Sequence, residues 1–172
     1  MKRALAILLV VVVGTQVAHA LASITFTVDA TVSFPSANPN TTPVISGSGP
    51  VTATIFIVNP QREDITLTVQ ASGPSLVSGS DTIAIGNVGW NVGSATWVHS
   101  IPPKTMAFWN AGNGPRALST SPITVITGND GRAQTTTDTV TGTVTNLFTF
   151  QNSWLYSTGT YTQAILWTLT AI

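Results

Sequence analysis

Residues 23–34 of the chain read SITFTVDATVSF. Six apolar side chains occupy alternate positions, and hydroxyl groups or Asp29 lie between them. Because successive side chains of a β-strand point to opposite faces, this alternation predicts a strand with one apolar face and one hydroxyl-rich face. A chain that carries this segment is expected to fold mainly as β-sheet.

The same pattern recurs along the chain. Residues 65–71 alternate strictly, whereas Val51–Val58 is apolar enough to be buried on much of both faces. Near the end, residues 140–150 and 161–169 each place aromatic and aliphatic side chains on one parity. Turn-forming residues separate such segments at intervals of roughly 8–12 residues, which is typical of β-sandwiches. We therefore predict an all-β fold, a single antiparallel β-sandwich of the immunoglobulin-like or jelly-roll-like kind.

The middle of the chain has a weaker pattern. Four short candidate strands, at residues 81–85, 88–92, 96–99 and 104–109, are separated by Gly, Ser and Pro. The segment Gly128-Asn129-Asp130-Gly131 is a strong turn signal. We expect short strands and loops in this region.

The first residues have the features of a secretory signal peptide. Lys2 and Arg3 precede ten apolar residues at 4–13, and Ala18-His19-Ala20 fits a small-x-small cleavage site. We predict a signal peptide over residues 1–20, with cleavage after Ala22 as the variant, and one sandwich domain over residues 21–172. The apolar run is shorter than the roughly 20 residues that span a bilayer. The mature protein is thus expected to be secreted, extracellular or on the cell surface, and not membrane-spanning.

Charge is scarce. Only 7% of the residues are charged, against about 25% in typical domains. Removal of the leader leaves four basic and six acidic residues, too few and too scattered for a phosphate-binding patch. Nucleic acid is therefore not an expected partner. A surface of Thr, Ser, Asn and Gln has little electrostatic repulsion to keep copies apart. The expected partners are other copies of the chain or a cell-wall or extracellular polymer.

Catalytic and metal-binding patterns are weak. The chain has no cysteine, and the mature part has one histidine, His99. Metal sites usually gather several His, Cys or carboxylate ligands. Glu63 and Asp64 are adjacent after a predicted hairpin loop and should point in different directions, which does not suit a carboxylate pair. We predict no enzyme activity, no catalytic residues, no cofactor and no metal site.

Two sets of residues are candidates for contacts. Aromatic rings can stack on sugar faces, and Trp97 and Trp109 border the most loop-like region, although a place in the core is the alternative for both. The N-terminal strand could pair with a neighbouring copy through its apolar face, or fold back as an edge strand of its own sandwich. This possible inter-subunit strand is defined by Ile24, Phe26, Val28, Val32 and Phe34.

The last strand, residues 161–169, reads YTQAILWTL and carries Tyr161, an aliphatic residue four positions later, and Trp167-x-Leu169. This arrangement resembles the distal motif of WxL-type bacterial surface domains. The resemblance implies a cell-surface or wall-associated role and supplies no catalytic residues.

Together these features favour an exported structural or adhesive protein, held noncovalently at the cell surface or self-assembling into extracellular filaments. A carbohydrate-binding module is the alternative, and a small secreted hydrolase is a second alternative.

Overall fold

The computed structural model describes residues 4–14, 23–28, 31–102, 108–112 and 114–172. Within these ranges two β-sheets pack face to face, and there is no α-helix. The predicted all-β sandwich is confirmed. Among the described strands the pairing is antiparallel, with one parallel exception between the first strand and the last.

Sheet A contains eight of the described strands, and its main path runs β10-β12-β6-β14-β1-β3. Two short strands, β7 and β8, form a hairpin that joins the sheet at one end of β14. The bounds are β1 (Ala4–Gly14), β3 (Thr31–Phe34), β6 (Asp64–Ala71), β7 (Ser75–Ser78), β8 (Asp81–Ala84), β10 (Phe108–Ala111), β12 (Ile123–Asn129) and β14 (Gly159–Ala171).

Sheet B contains six of the described strands in the order β11-β9-β13-β5-β2, and β4 pairs with the end of β13. The bounds are β2 (Ser23–Val28), β4 (Val44–Ser46), β5 (Val51–Val58), β9 (Val88–His99), β11 (Arg116–Ala117) and β13 (Thr139–Gln151). A 3₁₀ turn, Ile85–Asn87, leads into β9.

The core lies between the two sheets. Inward positions of β5, β6, β13 and β14 alternate with outward ones, as the period of two requires. A buried amide ties the two halves of sheet B together, because Asn146 accepts a hydrogen bond from the Trp90 indole at 3.1 Å and donates to the Val51 carbonyl at 3.2 Å. The chain contains no disulfide, so packing and sheet hydrogen bonds hold these layers together.

The alternating segment at residues 23–34 does not form one strand. It divides into β2, at the edge of sheet B, and β3, in sheet A. The prediction of one continuous strand is therefore wrong. The apolar parity remains directed toward the interior in both parts, so the segment contributes to both layers of the sandwich. Asp29 and Ala30, which lie between β2 and β3 in the sequence, are outside the described residues.

The weak middle of the chain holds a long strand. Two of the short strands predicted there, at residues 88–92 and 96–99, are the two halves of β9. Thr145 pairs with Ser94 and Asn146 pairs with Val92, so Gly93 is an extra residue at a β-bulge. The bulge shifts the inward parity from Val92 to Ala95, and the alternation therefore breaks in the sequence although the strand continues. The strand predicted at residues 104–109 falls partly outside the described residues, and β10 begins at Phe108.

Candidate functional site

Strand β1 has an interior position in sheet A. It runs parallel to β14 from Ala4, opposite Gly159, to Gly14, opposite Leu169. Its other edge pairs antiparallel with β3, from residues 6 to 9. The segment predicted as the hydrophobic part of the signal peptide is thus the strand that connects β3 to the rest of this sheet. We call this position, between β3 and β14, the β1 position.

The candidate inter-subunit residues fall into two groups. Ile24, Phe26 and Val28 lie on β2, and their side chains are half-buried against the core. Val32 and Phe34 lie on β3 and are fully buried, with 1% and 2% of their surfaces exposed. The Phe34 ring packs against Phe150 of the other sheet, with ring centroids 5.6 Å apart. The β3 part therefore anchors the core, whereas β2 is more loosely held.

The structure brings the two candidate ligand-contact tryptophans together. Trp97 on β9 and Trp109 on β10 stack with ring centroids 3.5 Å apart and an angle of 10° between their planes. The rings connect sheet B to sheet A, and both pack against the core. Trp97 also covers Gly142, where an added Cβ would overlap its ring. One face of Trp97 is thus occupied by Trp109, which is the geometry of a packing contact between sheets.

A third tryptophan is more accessible than either. Trp154 lies in the turn between β13 and β14, with 49% of its surface exposed beside Leu155 at 91%. Its indole N–H donates to the Asn40 side-chain oxygen at 3.0 Å, which fixes the ring in place. The sequence alone did not single out Trp154 as a contact residue. The turn residues around it were the signal for exposure.

A pair of carboxyl groups is buried at one end of the sandwich. Glu63 and Asp130 are 5% and 0% exposed, whereas Asp64 is exposed, so the two adjacent acids do point in different directions. Burial, followed by the hydrogen bond and the negative charge of Glu63, raises the pKa of Asp130 to about 9. Asp130 therefore carries a proton at neutral pH. The pair is separated by 67 positions in the sequence, which is why sequence analysis missed it, and its burial closes it to a substrate.

His99 lies at the end of β9, and neither ring nitrogen has a hydrogen-bond partner among the described residues. Burial lowers the pKa of His99, and the nearby Asp138 partly opposes this effect. Burial alone would raise the pKa of Asp138, but hydrogen bonds from Thr135 and Gln134 lower it below its usual value. Asp138 therefore acts as a fold-stabilising acceptor for the loop that precedes β13.

The outward faces of both sheets carry rows of threonine in register. In sheet B one row crosses four strands, with Thr27 opposite Thr54, Thr54 opposite Thr143, and Thr143 opposite Thr96. The neighbouring row places Thr145 against Ser94, and their hydroxyl oxygens are 2.8 Å apart. Sheet A has two rows of its own on β14, β6 and β12, formed by Thr168-Thr68-Thr124 and Thr170-Thr66-Thr127.

Neither comparison with known proteins relates the chain to a characterised one: no family model matches it, and no curated protein sequence does. In the described part of the chain, no helix is long and apolar enough to cross a membrane. The same residues contain no group of three or more His, Cys, Asp or Glu side chains that could hold a metal ion.

Proposed function

We propose that this protein is an exported structural or adhesive protein of the cell surface, which acts through its broad sheet faces and associates with copies of itself or with an uncharged polymer. The signal-peptide pattern supports export. The likeness of residues 161–169 to WxL-type surface domains supports a wall-associated location.

The observation that carries this proposal is the in-register threonine surface of the two sheets. The row through Thr54 and Thr143 offers hydroxyl groups at the spacing between strands, about 4.7–4.9 Å, with no charged side chain in the row. Hydroxyl groups can both donate and accept hydrogen bonds. A surface of this kind can therefore contact another such sheet or a polysaccharide without the repulsion that charged surfaces have.

The test is to place a charge on this surface. Thr143→Lys puts an ammonium group in the middle of the row, and Thr82→Lys puts the same group on the exposed β8 strand as the matched control. We expect Thr143→Lys to reduce the surface-bound fraction of the exported protein at least fivefold, and Thr82→Lys to leave it unchanged. The bound fraction is measured by immunoblotting of cell-surface and culture-medium fractions. Equal retention of both variants, or a protein that never leaves the cell, would contradict the proposal.

A carbohydrate-binding module is the second candidate, and exposed Trp154 is the observation that favours it. A ring fixed by Asn40 at a turn is suited to stack on the C–H face of a sugar. In a pull-down with insoluble chitin, cellulose and peptidoglycan, Trp154→Ala should lower binding about tenfold if this function is correct. Leu155→Ala removes a more exposed apolar side chain next to it and serves as the control.

A further inference from the structure

Cleavage of the predicted signal peptide would change sheet A in the exported protein. In the described part of the chain, β3 has no other ladder partner in sheet A than β1, and β1 covers one edge of β14 over eleven residues. Removal of residues 1–20 by signal peptidase would take β1 out of the middle of this sheet. Unlike the loss of an edge strand, this would open a gap with unpaired backbone groups on both sides.

The gap would lie over a fully buried part of the core. The side chains beneath its two borders are Val32 and Phe34 of β3 and Tyr161, Ile165 and Trp167 of β14, each exposed by 2% or less. Uncovering them together would create a large apolar patch, of the kind that marks interaction sites in soluble proteins. A segment that fills this gap must therefore be extended and uncharged, with apolar side chains at alternate positions.

We infer that, in the exported protein, this gap is filled by strand β2 of a second copy of the chain. This inference rests on the proposed self-association and adds a second contact to the one through the threonine rows. Residues Ser23–Val28 carry no charge, and Ile24, Phe26 and Val28 share one face. The segment begins within three residues of the predicted cleavage site, so processing would leave it at a free end that can reach another molecule.

The burial of the two strands favours this exchange. In its own chain, β2 is an edge strand that pairs with β5, and its three apolar side chains are only half-buried. The residues that border the gap are almost completely buried when the β1 position is occupied. Moving β2 into a neighbour therefore exposes a partly covered edge and covers a fully apolar gap, which is a net gain in buried apolar surface.

The same chain is poorly suited to fill its own gap with β2. The link between β2 and β3 consists of Asp29 and Ala30. A hairpin with a two-residue loop needs a type I′ or II′ turn, whose positive-φ positions are normally taken by Gly, Asn or Asp. Ala30 does not suit such a turn. A strand from a second copy has no such restriction.

Engineered cysteine pairs can locate β2 directly, because the chain has no cysteine of its own. Thr25 is paired with Phe56 on β5, and both side chains are exposed. Opposed residues in an antiparallel pair have Cα atoms about 4.5–5.5 Å apart, within the range that a disulfide bridges. Thr25→Cys with Phe56→Cys should therefore close within one chain if β2 stays in its own sheet.

The second set of pairs reports insertion into a neighbour. Thr160, Thr162 and Ala164 lie along β14 on the outward parity, so a cysteine at each in turn, with Thr25→Cys, samples different registers. In the chain that begins at Leu21, we expect covalent dimers and longer ladders on non-reducing gels from at least one of these pairs. We expect the Thr25–Phe56 pair to form less than a tenth as much intramolecular product in the assembled material as in the leader-bearing chain.

Deletion and reconstitution supply an independent test. Sedimentation of the chain from Leu21 should show polymers, and deletion of residues 23–28 should convert them to monomers. A synthetic peptide of residues 23–34 should then bind the shortened chain, and the same peptide with Phe26→Asp should not, because it would place a charge over the core.

Four results would overturn the inference. The first is mass spectrometry showing that the exported protein retains residues 4–14, and the second is a Thr25–β14 crosslink that forms within a single chain. The third is a leaderless chain that is monomeric at every concentration. The fourth is polymers that persist when Thr25 and Phe56 are crosslinked. The last result would leave the proposed self-association intact and place its contact elsewhere, for example on the threonine rows. Equal surface retention of Thr143→Lys and Thr82→Lys would refute the proposed function and not the strand exchange.

Discussion

Truncation of Trp167 tests the packing of the sandwich most directly. The side chain is 0% exposed, in the middle of β14 and opposite Val69 of β6. An aromatic side chain buries about 150–250 Å², which at about 25 cal/mol per Å² corresponds to roughly 4–6 kcal/mol. Its indole N–H has no acceptor among the described residues. Truncation removes this unpaired donor, whose burial costs about 1–3 kcal/mol.

The midpoints of these two ranges, about 5 and about 2 kcal/mol, leave an expected loss of about 3 kcal/mol for Trp167→Ala, at the lower end of the usual range for a buried Trp. For a domain of this size that corresponds to a fall in Tm of about 6–12 °C. Urea unfolding followed by far-UV circular dichroism measures it without interference from the other four tryptophans. Trp167→Phe keeps most of the apolar surface and loses the unpaired N–H, so its loss should be less than half as large.

Trp154→Ala is the matched control, because it removes the same side chain from a site that is 49% exposed and has one exposed hydrogen bond. Its cost should be below about 1 kcal/mol. If Trp167→Ala unfolds at the same urea concentration as wild type, or if the two truncations cost the same, the assignment of Trp167 to the core would be refuted.

Three further outcomes are expected. The free energy of unfolding should fall as pH rises from about 4 to about 9, because the pKa of Asp130 is raised from 3.8 in the unfolded chain to about 9 in the folded one, and ionisation therefore favours unfolding. In urea titrations at pH 5, 7 and 9, Asp130→Asn should flatten this dependence on pH. The same substitution at exposed Asp81 should leave it unchanged. Gly142→Ala should lower stability by about 1–3 kcal/mol because the new methyl group meets the Trp97 ring, whereas Gly86→Ala, with no atom nearby, should be neutral in the same thermal melts. Finally, the circular dichroism spectrum of the leaderless chain should retain a β-sheet form without helical minima.

Local alternation was enough to predict the class of fold. A period of two sustained over residues 65–71 and 161–169 leaves no alternative to a strand with one buried face, since a helix would scatter the same residues around its circumference. The inward positions of Trp167 and its neighbours on β14 followed from the same period. The strands that were read correctly are those in which one face is buried and the other carries hydroxyl groups.

The sequence did not determine where the strands lie, because pairing joins residues far apart in the chain. The alternation at residues 23–34 is unbroken, yet only the three-dimensional arrangement shows that the chain passes from sheet B to sheet A between β2 and β3. In β9 the opposite occurred, since one extra residue at Gly93 broke the alternation of a strand that continues.

The candidate contact residues, too, could be placed only from the tertiary structure, because they come from segments that are far apart in the chain. Trp97 and Trp109 are on strands of different sheets, and their stacking follows from how the layers pack. The pairing of Glu63 with Asp130, and the place of residues 4–14 between β3 and β14, likewise have no local signal. Alternation and low charge therefore determined a β-sandwich with a sparsely charged surface. The assignment of each strand to a sheet, and with it the β1 position, was decided by hydrogen bonds and core packing between distant segments.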